Sequence, residues 1–130
     1  MRRKCSKPDR RLGFIDKSSF IPDSLGRVLA WESSVYEIPQ KDGVRKEKTL
    51  YRFDCKKRTM TLLELIAFGN NSRLLKSYSW KSYEQDERYI VPDSVGESKW
   101  EFVCLGKSVS ETSLKGSPEE FSAYYFRHAD

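Results

Sequence analysis

The sequence predicts an α+β domain: a single antiparallel sheet of about six strands followed by a C-terminal helix. Three observations lead there. Short apolar-rich runs are separated by Pro, Gly, Asn, Asp and Ser clusters from Gly13 to Trp80, the pattern of successive hairpins. A Ser94-x-x-Glu97 signal precedes the run Val95–Cys104, the mark of a helix start. Two cysteines, Cys55 and Cys104, close a strand-like block and a helix-like block. A bond between them would pin the helix to the sheet and place the protein in an oxidising compartment.

The elements follow in order. Gly13–Asp16 reads as a first strand, and Asp16–Ser19 as a polar turn before Phe20 and Ile21. Pro22–Gly26 is a turn. Arg27–Ile38 is a second strand, with Val28, Ala30, Val35 and Tyr36 as core or interface positions. Gln40–Gly43 is a loop carrying Asp-Gly. Lys48–Cys55 is a third strand. Leu50 and Phe53 cannot share one face under strict alternation, so a bulge or mixed burial is expected there. Arg58–Phe68 is the longest strand, although its Leu, Glu and Met also favour a helix. Strand is preferred because Gly69-Asn70-Asn71-Ser72 supplies a hairpin turn into a fifth strand, Arg73–Trp80. Tyr83–Arg88 reads as a loop and Tyr89–Val91 as a sixth strand ended by Pro92. The helix then runs to Cys104, with Val95, Trp100 and Val103 as its buried stripe. Ser117-Pro118-Glu119-Glu120 opens a possible extra C-terminal helix, with Phe121, Tyr124 and Tyr125 on its apolar face.

Charge is unevenly placed. The chain of 130 residues has a net charge of +5. Residues 1–11 hold six basic residues against Asp9, so they carry the whole excess. A nucleic-acid reader concentrates its charge on a folded face, so nucleic acid is not expected as a partner. The division is therefore a disordered basic arm over 1–11, a folded domain over 12–105, and a linker with a short helix over 106–130. No apolar run approaches the roughly 20 residues of a membrane helix, so no transmembrane segment is expected. Met1-Arg2-Arg3-Lys4 resembles the basic start of a secretory signal, but no apolar stretch follows. Cys5 is left over as a spare thiol.

Candidate chemistry is sparse. The single histidine, His128, sits near the terminus, which disfavours triads and metal sites. No CxxC, phosphate loop or GxGxxG is present. Asp16, Asp54, Glu64 and Glu97 are better read as turn, strand-end, ion-pair and cap residues than as a catalytic pair. The chain is expected not to be an enzyme and to need neither cofactor nor metal. Cys55 and Cys104 read as a structural pair, with redox and metal roles as the alternatives. Closing a loop of about 50 residues would add about 4 kcal/mol. Binding is the remaining class. Lys48, Tyr51 and Arg52, with Lys56, Lys57 and Arg58, form a basic, aromatic-bearing segment around Cys55 that suits a protein partner; the competing reading is a solvated edge guarded by cations. Trp31, Trp80 and Trp100 read as core.

The order Phe14-Ile15-Asp16, Val28-Leu29-Ala30-Trp31, Tyr51…Asp54-Cys55…Arg58, Gly69, Ser77, Trp80, Ile90-Val91-Pro92-Asp93-Ser94-Val95-Gly96-Glu97…Val103-Cys104 resembles the surface-adhesin protein E family of Gram-negative bacteria, from Phe14 to Cys104. The resemblance implies a small secreted or lipid-anchored envelope domain, whose C-terminal helix is fixed to an antiparallel sheet by a disulfide. It implies a location in the periplasm or on the outer-membrane surface. It also implies a binding module whose partner is a host extracellular-matrix or serum protein. The alternative is a periplasmic accessory domain of an envelope assembly without a host ligand.

Overall fold

The computed structural model describes residues 11–107. Seven antiparallel strands make one sheet: β1 (Arg11–Ile15), β2 (Ile21–Pro22), β3 (Arg27–Tyr36), β4 (Lys46–Asp54), β5 (Thr59–Phe68), β6 (Leu74–Ser79) and β7 (Glu87–Tyr89). The order is β1-β3-β4-β5-β6, with β2 also on β3 and β7 also on β5. One helix, α1 (Val95–Leu105), follows among the described residues. The α+β expectation holds, and the run Thr59–Phe68 is strand rather than helix. The extra strand is the two-residue Ile21–Pro22, paired with Leu29 and Val28.

Register decides which residues share a face. Val28, Ala30 and Glu32 of β3 stand opposite Phe53, Tyr51 and Thr49 of β4, and α1 packs on the face that these residues form. The core is Ala30, Phe53, Ile90, Trp100 and Val103, with Ile15, Val28, Tyr51 and Met60 packed around it. Phe53 is fully buried and Trp100 is 4% exposed. Burying a large aromatic side chain is worth about 3 kcal/mol. The face opposite α1 carries Trp31, Leu50 and Arg52, because successive strand residues alternate sides.

Helix α1 begins where the sequence signals it. The Ser94 hydroxyl accepts from Glu97 N–H at 3.1 Å. The Glu97 carboxylate accepts from Asp93 N–H at 2.9 Å, one residue before the cap. Gly106, at φ 71°, ends the helix in the left-handed region that glycine adopts without penalty. Cys104 is bonded to Cys55 just past β4, so the structural reading of the pair holds.

Several readings need correction. Val95 is 71% exposed and is not part of the buried stripe. Five residues at 100° each put it roughly 140° around the helix from Trp100. The sixth expected strand, Tyr89–Val91, lies two residues earlier, at Glu87–Tyr89, where it pairs with Thr61–Thr59. Ile90 instead donates its N–H to Arg58 O at 2.9 Å and turns into the core. The irregularity expected at Leu50–Phe53 is present: the register breaks between Leu50, which pairs Glu64, and Tyr51, which pairs Leu62, with Leu63 of β5 as the extra residue. Trp31 and Trp80 are only half-buried, so of the three tryptophans Trp100 alone is core. Arg11, placed in the basic arm, opens β1. The rest of that arm with Cys5, and the expected C-terminal helix, lie outside the described residues.

Candidate functional site

The basic segment proposed from the sequence does not form one surface. Lys48 and Arg52 lie on the face opposite α1, Lys48 exposed and Arg52 half-buried. Tyr51 lies on the α1 face. Its ring stands 5.8 Å from Phe53, with Lys99 Nζ 5.5 Å above it. Burial, reinforced by the nearby Glu32 carboxylate, pushes the Tyr51 hydroxyl up to about 12. Lys99 pairs with Glu32 at 3.0 Å, and both side chains are largely buried. Such a pair is costly to break from one side, because the survivor stays buried without its partner.

Lys56, Lys57 and Arg58 form the β4–β5 turn. One oxygen of Asp54 accepts the N–H groups of Lys56 and Lys57 at 3.0 and 2.9 Å, an Asx-type closure. Arg58 completes the turn at φ 57°. Its guanidinium lies across the surface of α1, 4.2 Å from the Trp100 ring, and pairs with Glu97 at 3.0 Å. Arg58 therefore belongs to the scaffold. Lys56 and Lys57 stay exposed.

A different feature, not singled out from the sequence, is a cleft of about 420 Å³ beside the start of α1. Met60, Leu62 and Ile90 supply its apolar floor. Three aromatic residues that lie far apart in the chain, Tyr51, Trp80 and Tyr89, line it as well. Glu84, Asp86 and Arg88 supply its charged groups. The β5 bulge helps to shape it, because the carbonyl of the extra residue Leu63 accepts from Trp80 N–H at 2.9 Å. Glu84 is fixed: its two carboxylate oxygens accept from Lys81 N–H at 3.0 Å and Tyr78 O–H at 3.1 Å. The second bond holds the Tyr78 hydroxyl above its ordinary range. Asp86 pairs with Arg88 at 2.8 Å, with both side chains well exposed. The only sequence signal for this cleft was the aromatic-rich, acid-containing stretch 78–90, which reads as two strand ends joined by the loop Tyr83–Arg88.

Three of the four carboxylates weighed for catalysis, Asp16, Asp54 and Glu97, are spent on structure. Asp16 caps the short turn Lys17–Ser19, accepting from Ser18 N–H at 3.0 Å. Glu97 serves the helix start and Arg58. Neither lines the cleft, whose floor and walls are mostly apolar.

A sequence model of the family described as surface-adhesin protein E matches residues 4–105. No curated protein matches the chain. Solved structures of Haemophilus influenzae protein E share the fold. One aligns at TM-score 0.54 and 15% identity, covering 77% of this chain and 82% of that one. A second crystal form aligns at TM-score 0.54 and 14% identity, covering 72% of this chain and 80% of that one.

Proposed function

The chain belongs to the surface-adhesin protein E family, and on that premise we propose that it is a non-catalytic binding module of the Gram-negative cell envelope, displayed at the outer-membrane surface, with a host extracellular-matrix or serum protein as its partner. The observation that carries this reading is the family match over residues 4–105. The Cys55–Cys104 bond fits an oxidising compartment. Asp16, Asp54 and Glu97, three of the carboxylates weighed for acid–base work, are committed to turns, a helix cap and an ion pair, which agrees with a binding role. Lys48, Arg52, Lys56 and Lys57 are the cations this reading assigns to partner contact. They are held on or next to a rigid central strand and carry no ion pair among the described residues. Arg58 braces that turn against α1.

The test uses whole cells of the native host. Added protease should cleave the domain on intact cells, and surface-coated matrix and serum proteins should retain wild-type cells more than cells lacking it. Protection from protease until the outer membrane is opened would favour the periplasmic accessory role instead. A Lys48→Glu, Lys56→Glu, Lys57→Glu variant should fold normally and lose partner binding.

A further inference from the structure

We propose that the cleft beside α1 receives a single cationic side chain, arginine or lysine, projecting from the protein partner. The proposal rests on the binding-module reading above and adds a recognition pocket to it. The volume of about 420 Å³ sits at the lower end of pockets that hold small ligands, roughly 300–1,000 Å³. That is room for one long side chain and its flanking backbone, not for a folded element.

The chemistry of the lining selects among ligands. Met60, Leu62 and Ile90 offer no hydrogen-bonding side-chain group, so a hydroxylated sugar lying on the floor would find partners only along the rim, on one side of its ring. An anion would meet the carboxylates of Glu84 and Asp86. A wholly apolar side chain would fill the floor but desolvate those carboxylates without compensation. A lysine or arginine satisfies both regions. Its aliphatic stem lies on the apolar floor while its head stays at the charged groups. The aromatic lining of Tyr51, Trp80 and Tyr89 favours a cation near a ring face. Glu84 is already oriented by Lys81 N–H and Tyr78 O–H, so little entropy is lost in presenting it. Arg88 is the competing internal cation, and it is occupied by Asp86 at 2.8 Å.

Arg88 makes the proposal testable in both directions. The full chain, labelled with nitrogen-15, is titrated with acetyl-arginine methylamide, with the neutral isostere acetyl-citrulline methylamide, and with a methyl glycoside. Arginine should give saturable shifts at the amides of Leu62, Tyr89 and Ile90 and at the Trp80 indole, and citrulline should bind about tenfold more weakly or not at all. Asp86→Asn should weaken arginine binding about threefold or more, and Arg88→Gln should strengthen it by a similar factor. Both positions are exposed, and intact spectra confirm the fold. Equal binding of citrulline, binding of the glycoside alone, or no saturation at about 100 mM arginine would each overturn the assignment. Loss of arginine binding alongside intact whole-cell adhesion overturns the pocket and leaves the adhesin reading standing. Arginine binding without whole-cell adhesion does the reverse.

Discussion

The two ends of α1 are held in different ways. The C-terminal half is bolted down: Cys104 is bonded to Cys55, Val103 and Trp100 are buried against Phe53 and Ala30, and the Trp100 indole N–H donates to Asp54 O at 3.2 Å. The N-terminal end is held by directional polar contacts: the Ser94 cap, the Glu97 carboxylate on Asp93 N–H, and the exposed Arg58–Glu97 pair. The cleft adjoins the second end, with Ser94 and Gly96 in its lining. Covalent closure and apolar burial fix the helix where nothing has to move. Weaker, reversible contacts border the cleft, the kind of contacts that open first in a fold.

Breaking the buried end should cost most. Trp100→Ala removes the largest core side chain along with its indole hydrogen bond, and should destabilise the fold by about 4 kcal/mol in urea titrations. A loss under about 1 kcal/mol would mean that the disulfide alone holds the helix. Replacing Cys55 and Cys104 together by serine should remove about 3–4 kcal/mol, because the bond closes a loop with a sequence separation of 49. In that variant the α1 amides should exchange faster from the C-terminal end, reversing the order in the native protein.

The border between the two regions is Tyr51, which touches both core and cleft. Its hydroxyl is pushed up to about 12 in the folded state, against about 10 unfolded. The folded state thus keeps its proton where the unfolded chain has lost it. The resulting stabilisation is fully present below pH 10 and is lost as pH rises toward 12. Tyr51→Phe should flatten the fall in melting temperature between pH 9.5 and 11.5, an effect of about 2 kcal/mol at most. An unchanged alkaline profile would show that the hydroxyl is solvated.

The polar end should give the smallest changes. Ser94→Ala should cost about 1 kcal/mol and raise exchange only in the first turn of α1. Arg58→Gly has two opposed effects. It relieves the left-handed backbone at φ 57° but removes the stack on Trp100 and the pair with Glu97, so the net change should stay within about 0.5 kcal/mol. Arg58→Ala keeps most of the backbone cost and loses both contacts, so it should be the less stable of the two.

Most of the local grammar was legible in the chain. Asp16, Ser94 and Gly69–Ser72 mark turns and caps because a short polar side chain or a permissive backbone satisfies hydrogen bonds within a few residues. Those bonds form whatever surrounds them. The Cys55–Cys104 pair was legible as a structural link, and the family resemblance from Phe14 to Cys104 agrees with the match over 4–105. Val95 was misplaced because an apolar residue in the first turn looks the same whether its helix face is buried or not. Tyr89–Val91 was misplaced by two residues because a three-residue edge strand takes its position from its partner, here Thr59–Thr61.

The amino-acid order by itself determined the long strands, the helix and its cap, and the family, since each depends on periodicity, local capping or residue identity. Only the tertiary structure decided what those elements bring together. Alternation across β4 set Tyr51 against Lys48 and Arg52 on opposite faces. One extra residue at Leu63 in β5 turned a carbonyl toward Trp80 and helped to place a tryptophan from past β6 in the same cleft as Tyr51 and Tyr89. Register is a property of pairs of strands, so a site assembled across register cannot be read from any one of them.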